Sequence, residues 1–202
     1  MRRTCSLGGC RRVQTRRVPF CPFHAAMVPD ALARVWDPNA LWMAQAHIKD
    51  YLQLAGEHGL IRCLSYSQPW ATTIVDGPKR AENRTWPLKL RGESLWLGLH
   101  AAKRPDRDAV PFVQKHWPAC PPATELPTSA VLAITRFSRW VRHEARGPRL
   151  FGEDPWSFGP YVGVIEQVVR LPAPMACRGS LGLWLPPIEI QRAMQDAIRE
   201  AA

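Results

Sequence analysis

Acidic residues are scarce in this 202-residue chain, and its first 24 residues contain none. Only 17 Asp and Glu residues stand against 27 Lys and Arg residues, so the formal net charge at pH 7 is +10. A surface with this excess of positive charge attracts phosphate backbones and releases their counterions on binding. The charge therefore favours a polyanionic partner, either RNA or DNA.

Long apolar runs are also absent, since no stretch approaches the ~20 apolar residues that a membrane-spanning helix requires. The Arg-rich amino terminus has no apolar stretch behind its charges, so we predict no secretory signal. The chain also lacks the Gly-rich loop and the Gly-x-Ser-x-Gly elbow of two large enzyme classes. We expect a cytoplasmic protein with no membrane partner, whose six Cys residues are thiols or metal ligands rather than disulfides.

Residues 1–24 contain a pattern typical of a small metal site. Cys5 and Cys10 are separated by four residues, and Cys21 and His24 by two residues. Each pair can fold a short loop around one ion, and the Gly8-Gly9 step permits the tight turn that such a loop needs. Four ligands of this kind predict a structural zinc knuckle, which would supply the folding energy of a segment with no core of its own. The alternative is a coincidence of thiols in a frayed terminus.

Residues 25–59 are predicted to form a helical connector. Asp37 and Pro38 suit an N-cap followed by the first helical position, and Gly56 and Gly59 suit the helix end. Between them, apolar residues recur at helical spacing and form a stripe that is expected to pack on a neighbouring element: Leu41, Ala44, Ile48, Leu52 and Ala55.

In residues 60–202 the sequence pattern becomes typical of short β-strands. A hydrophobic content of 46% is sufficient for a packed core. Many short strands with a few helices predict an α+β fold built on a small, mostly antiparallel β-barrel with flanking helices. The predicted strands are 61–66, 79–86, 95–101, 129–137 and 161–171, and the predicted helices are 69–75, 106–116 and 188–200.

The strand predicted at 79–86 contains an unusual polar face. Glu82, Arg84 and Trp86 alternate onto one side of it. They form either a solvated edge or, facing other polar and aromatic groups, a pocket for a planar heterocycle such as a nucleobase. The groups expected to face them are Gln68, Trp70 and Lys103. Trp70 and Trp86 are either stacking surfaces for the base or ordinary core residues. His100 is on the strand face opposite Leu95, Leu97 and Leu99, and is predicted either to be half-exposed or to line the site.

Several of these residues belong to motifs that resemble the ASCH family, a member of the PUA-like class named for a transcriptional coactivator homology region. The resemblance extends from about residue 60 to residue 187 and excludes the zinc segment and the connector. In chain order the motifs are Gln68-Pro69-Trp70-Ala71, Lys79-x-x-Glu82-x-Arg84-x-Trp86, Arg91-Gly92, His100-Ala101-x-Lys103 and Gly179-x-x-Gly182-Leu183-Trp184.

The resemblance implies an RNA- or DNA-binding module of the PUA-like fold, with a base in the pocket. Separately, five arginines cluster after the fourth predicted strand, in a predicted loop that either contacts phosphates or is simply a solvated face: Arg136, Arg139, Arg142, Arg146 and Arg149. Some small bacterial members are amidohydrolases that remove the acetyl group of N4-acetylcytidine, and others resemble ribonucleases. For such chemistry the resemblance gives Lys79 as the candidate general base, and Glu82, three residues later, is the other candidate catalytic residue. However, Glu82 stands where the amidohydrolases have Thr, which favours binding over hydrolysis.

The first prediction concerns the basic amino terminus. Deleting residues 1–24 removes Arg2, Arg3, Arg11, Arg12, Arg16 and Arg17. Because each phosphate contact adds to the salt dependence of binding, the deletion should flatten a plot of log affinity for single-stranded RNA or DNA against log salt. Fluorescence anisotropy over a series of salt concentrations measures both slopes. An unchanged slope would show that these arginines do not contact phosphate.

Overall fold

A computed structural model describes residues 5–7, 10–12, 14, 19–28, 38–54, 59–88, 94–142 and 154–202. Several features of the sequence predictions lie outside these ranges: the Gly8-Gly9 turn, Arg2, Arg3, Arg16, Arg17, Asp37, Ala55, Gly56, Arg91-Gly92, Arg146 and Arg149. The chain divides into two compact units, Met1–Leu60 with Pro187–Gln191, and Ile61–Pro186 with Arg192–Ala202.

Between Met1 and Leu60, the described residues form two helices, α1 (Pro22–Ala25) and α2 (Pro38–Gln53). The helix predicted in the connector is therefore confirmed, and its buried face includes Ala44, Ile48 and Tyr51. Leu52 was expected on that face but is 38% exposed, because the buried stripe passes through its neighbour Tyr51. Burial raises the pKa of the Tyr51 hydroxyl to about 12.

The second unit is an α+β structure, and its described residues include a six-stranded sheet that curls into a half-barrel. The strand order across the sheet is β2-β5-β4-β3-β1-β6. All neighbouring strands are antiparallel except the parallel pair β1 and β3, as the sequence predicts for a mostly antiparallel sheet. The strands are β1 (Arg62–Tyr66), β2 (Ala81–Arg84), β3 (Leu95–Ala101), β4 (Ala130–Arg142), β5 (Tyr161–Ala176) and β6 (Leu183–Trp184).

Three helices complete the described elements: α3 (Trp70–Val75), α4 (Ala109–His116) and α5 (Ile188–Glu200). Each was predicted, although α4 begins three residues later than expected. None of the helices in the described part of the chain has the length and apolar character needed to cross a membrane.

The pairing of β4 with β5 is longer than the sequence predicts. Both strands continue past the predicted ends, and Trp140 and Val141 pair with Gly163 and Val162. Gly163 is required here because a Cβ atom would lie 2.6 Å from the Trp140 ring. The arginines at 136, 139 and 142, predicted in a loop, therefore lie on a strand.

Other residues cover both faces of β3, and for this reason its polar residue His100 is buried. Leu97 and Leu99 join the main core, which also contains Phe137 of β4 and Ile74 of α3. On the opposite face, a Cβ atom at Gly98 would meet the sulfur atoms of Cys63 and Met194. His100 shares that second face and is buried rather than half-exposed.

Candidate functional site

The centre of the candidate site is an ion pair on β2. Because alternate residues of a strand point to the same side, Glu82 and Arg84 lie together, and Arg84 Nε donates to Glu82 Oε1 at 2.7 Å. A second guanidinium nitrogen donates to the Ser65 carbonyl oxygen at 2.9 Å. The guanidinium carbon also lies 5.3 Å from the centre of the Tyr66 ring. Three contacts therefore fix the orientation of Arg84, while other N–H groups of its fork remain for a ligand.

Lys79, which precedes β2, is buried beside this pair and is only 2% exposed. Its ammonium group donates to the Ala81 carbonyl oxygen and lies 5.7 and 5.8 Å from the ring centres of Trp70 and Phe158. Burial lowers the pKa of Lys79 to about 8, although the charges of Glu82 and Asp154 oppose that effect. Lys79 is therefore mostly protonated at neutral pH, and it is much closer to neutrality than an exposed lysine.

Burial also raises the pKa of the Glu82 carboxyl group, while Lys79 and Arg84 act to lower it. With all three groups ionised, this cluster of two cations and one anion has a net charge of +1. Such a cluster can offer N–H donors and a carboxylate acceptor to a single ligand.

Aromatic side chains surround the Lys79 ammonium group. Trp70 of α3 is fixed by a hydrogen bond from its Nε1 to Asp106 Oδ2 at 3.0 Å. Its ring contacts Phe158 at a centroid distance of 5.8 Å and Trp156 at 6.5 Å. Phe158 is 42% exposed, and its backbone amide donates to Asn83 Oδ1 at 2.8 Å. These rings provide flat apolar surfaces next to the charged cluster.

The charged and aromatic groups line one cavity of about 150 Å³. A buried apolar cavity of roughly that volume accommodates one benzene-sized ring. This cavity is thus large enough for a single planar ring system. Its lining consists of Ser65, Tyr66, Ser67, Trp70, Lys79, Glu82, Asn83, Arg84 and Phe158.

The structure brings four of the predicted pocket residues together: Trp70, Lys79, Glu82 and Arg84. Gln68 is fully buried and outside the lining, because its amide accepts from the Thr72 backbone amide and donates to the Pro127 carbonyl oxygen. Trp86 is also outside it, because β2 ends at Arg84 and the chain bends before Trp86.

His100 and Lys103 line a separate, larger cavity on the other side of β1, together with the Ser65 side chain. The sequence prediction placed them in the same pocket as Arg84. Ser65 and Tyr66 are neighbours in β1, so their side chains point to opposite faces of the strand. The Ser65 hydroxyl lies 3.2 Å from His100 Nδ1 on one face, and Tyr66 packs in the main core on the other. His100 is therefore separated from Arg84 by the strand itself.

Several lining residues were not predicted. Asn83 and Phe158 are 75 positions apart and meet through a backbone contact of the 154–160 segment. Tyr66 faces the site from the end of β1. Burial raises the pKa of its hydroxyl well above its ordinary value. Strand alternation along β1 could have predicted which face Tyr66 occupies. No sequence feature near Phe158 indicates that it meets Asn83.

In the first unit, Cys5, Cys10, Cys21 and His24 form a group suited to a metal ion. Their candidate ligand atoms all lie within 4.8 Å of one another. The Nδ1 atom of His24 is 3.4 Å from Cys5 Sγ and 3.5 Å from Cys21 Sγ. A tetrahedral zinc ion with ordinary bond lengths would separate such N and S ligands by about 3.6 Å. The described geometry is therefore consistent with zinc, with His24 binding through Nδ1.

The backbone around these thiols also suits metal-bound thiolates. At Cys21, burial acts to raise the pKa, but hydrogen bonds from the backbone at His24 and Phe23 contribute to a net lowering. At Cys5, burial raises the pKa and the backbone at Leu7 opposes it. Amide groups directed at sulfur stabilise the deprotonated form that coordinates a metal.

Comparison with known proteins gives a short match. No protein-family model matches the chain. A 52-residue stretch, 26% of this chain, is 44% identical to activating signal cointegrator 1 of Homo sapiens. The same identity and length are found with the Mus musculus protein of that name. The matched stretch covers 9% of the length of either relative, so the similarity is confined to a small part of those proteins.

The metal site gives a second prediction. Protein purified without added metal should contain about one equivalent of zinc per chain, and Cys21→Ser should lose it because three ligands rarely retain a structural ion. Atomic emission measures the metal content of both proteins. Cys120→Ser, a thiol outside the group, is the matched control and should keep its zinc. Metal-free wild type, or full zinc content in Cys21→Ser, would contradict the assignment.

The buried amine gives a third prediction. The folded pKa of Lys79 is about 8, below the ordinary value near 10.4, so between these values the unfolded chain binds more protons than the folded one. The protonated amine is disfavoured in the folded chain, so the free energy of unfolding rises as the pH increases above about 8. This rise ends once the pH exceeds the pKa of Lys79 in the unfolded chain. Relative to Lys79→Met, the free energy of unfolding of wild type should rise by about 1 kcal/mol per pH unit from pH 8 to 10.

Urea unfolding at a series of pH values, followed by tryptophan fluorescence, measures this difference. Lys115→Met is the control, because Lys115 is exposed on α4. Its stability should follow that of wild type across the range. Parallel curves for wild type and Lys79→Met would show that Lys79 titrates as an ordinary surface lysine.

Proposed function

We propose that this chain is a nucleic-acid-binding protein whose second unit, with a PUA-like fold of the ASCH family, holds one base of RNA or DNA in the 150 Å³ cavity. The observation that carries the proposal is the cluster of buried Lys79 and Glu82 with half-buried Arg84, next to the rings of Trp70 and Phe158. Buried charges are costly unless they are paired or used, so a partly open site with more cation than anion favours a polar, planar ligand.

A base fits the chemistry of each lining group. The Glu82 carboxylate can accept from an exocyclic amine, and the N–H groups of Arg84 can donate to ring nitrogen or carbonyl acceptors. The rings of Trp70 and Phe158 offer stacking surfaces, which stabilise unpaired bases by about 1–3 kcal/mol each. A base can enter such a cavity only when it is unstacked, which favours single-stranded or flipped nucleotides.

Other features support a nucleic-acid partner. The formal net charge of +10 supplies a long-range attraction for phosphates. In the first unit, Arg11 and Arg12 are exposed beside the ligand group, and we propose that a structural zinc ion bound there holds this basic segment for phosphate contacts. The matched relatives are cointegrators by name, in keeping with a family named for a coactivator region.

One observation favours a second candidate, an amidohydrolase acting on N4-acetylcytidine or a ribonuclease-like hydrolase. A lysine whose pKa is about 8 lies in the range of catalytic bases, and Lys79 has that value beside the Glu82 carboxyl group. The reaction also requires a positioned hydroxyl group, and position 82 holds Glu rather than Thr. Ser67 lines the cavity, but the Lys79 amine already donates to a backbone carbonyl.

The fourth prediction separates binding from hydrolysis. Arg84→Ala should weaken binding of a single-stranded oligonucleotide by about 10- to 100-fold, because a fork of donors to a base edge contributes roughly 1–3 kcal/mol. Arg84→Lys should recover only part of the loss, since it keeps the charge but not the fork. Arg192→Ala, at an exposed position of α5, is the matched control. Fluorescence anisotropy provides the affinities, and circular dichroism checks that each variant is folded.

The same proteins are then incubated with N4-acetylcytidine, and the products are separated by chromatography. No protein should release cytidine above background. Binding that is insensitive to Arg84→Ala would refute the base pocket. Cytidine release by wild type that is abolished in Lys79→Ala would establish the hydrolase instead.

A further inference from the structure

A second cavity, of about 840 Å³, adjoins the end of β1. Ser65 belongs to both cavities: its carbonyl oxygen accepts from Arg84 at the base pocket, and its side chain faces the second cavity. The two cavities are therefore separated by a single strand near its carboxyl end. Other residues that line the second cavity include His100, Lys103, Ser129, Arg178, Gly179 and Leu181.

The charge of the second cavity has one sign. Lys103 and Arg178 are exposed at its edge, and none of the described residues that line it is Asp or Glu. Neither cation forms a salt bridge within the described ranges. Burial lowers the pKa of His100, so the positive charge of this cavity comes from Lys103 and Arg178. The cavity is thus suited to a ligand with negative charge.

The wall of the second cavity is held by a chain of hydrogen bonds. His100 Nε2 is 3.2 Å from the Cys177 carbonyl oxygen, and its Nδ1 is 3.2 Å from the Ser65 hydroxyl. The Trp184 indole donates to the same hydroxyl at 3.2 Å. Gly179 packs so closely that a Cβ atom there would lie 2.3 Å from His100 Cε1. These contacts fix the 177–180 backbone, and with it the position of Arg178.

We infer that this second cavity binds the nucleotide adjacent to the one in the base pocket, so that the ligand is a single-stranded oligonucleotide rather than a free nucleoside. The inference rests on the proposed function. The volume lies in the range that encloses a nucleotide-sized molecule and far exceeds what one ion requires. Lys103 and Arg178 would hold phosphate oxygens, and the 98% exposed Leu181 offers an apolar contact for a sugar or base.

The strand would pass over Ser65, with one base against Arg84 and the next phosphate against Arg178. Unpaired strands are commonly bound through cationic grooves combined with base contacts, which is the combination found on the two sides of β1. A free nucleoside would use only the first cavity and forgo the second.

The fifth prediction tests this inference with probes of increasing length: cytidine 5′-monophosphate, and mixed-sequence single-stranded RNA and DNA of two, four and eight nucleotides. Affinity should rise at least tenfold from the mononucleotide to the longer strands. The double variant Lys103→Ala/Arg178→Ala should remove most of that gain. It should also reduce the slope of log affinity against log salt by about 0.7 for each phosphate that the variant no longer neutralises. Calorimetry and anisotropy measure these values, with Arg192→Ala as the control.

Arg84→Ala, measured on the same eight-nucleotide strands, keeps the two claims separate. Strands that bind more weakly to Arg84→Ala but normally to the double variant would overturn the second subsite and leave the base pocket intact. Strands unaffected by Arg84→Ala would overturn the base pocket itself, and with it the inference. Weaker binding by both proteins, with the larger reduction of the salt slope in the double variant, is the expected result.

Discussion

The structure buries the charged groups of Lys79 and Glu82 at one edge of a half-barrel, beside the half-buried Arg84, and the surrounding residues must offset the loss of hydration. Removing an ionised group from water costs several kcal/mol, and pairing offsets the cost only when distances and orientations are good. Here the strand alternation of β2 sets the 2.7 Å contact between Arg84 and Glu82, and the end of β1 supplies a carbonyl acceptor. Truncating Glu82 would remove the only carboxylate of the cluster and leave the buried Lys79 cation without it, and breaking a buried pair in this way costs about 3–5 kcal/mol.

The same desolvation links structure to chemistry. Aromatic rings of α3 and the 154–160 segment reduce the solvation of the Lys79 amine, and its pKa falls to about 8 as a result. At neutral pH the amine is still mostly a cation and is strongly attracted to a ligand with acceptor atoms. A neutral amine would be needed for base catalysis. The balance of burial against the Glu82 charge thus favours binding over hydrolysis near pH 7.

Much of this arrangement was predictable from the sequence where the signal is local. β3 and α5 have the predicted bounds, because their apolar residues follow strand and helix periods up to a clear boundary. The Cys5–His24 group was predictable for a similar reason, since the spacing of short ligand pairs is itself the signal. Glu82 and Arg84 share a face because they are two residues apart in a strand.

Features that depend on distant partners were not predictable. Gln68 was expected in the pocket, but its side-chain amide accepts from the Thr72 backbone amide of α3 and donates to the Pro127 carbonyl oxygen, 59 residues away. His100 was assigned to the correct strand face, but its burial depends on what covers that face, including Trp184. Strand periodicity specifies which side a residue faces and does not specify what lies opposite.

The most direct measurement is a crystal structure of the protein with a bound single-stranded oligonucleotide. We predict one base ring in the 150 Å³ cavity, in contact with the Trp70 or Phe158 ring, with its polar edge within hydrogen-bond distance of Glu82 and Arg84. An oligonucleotide ordered elsewhere on the protein, with this cavity free of any base, would contradict it.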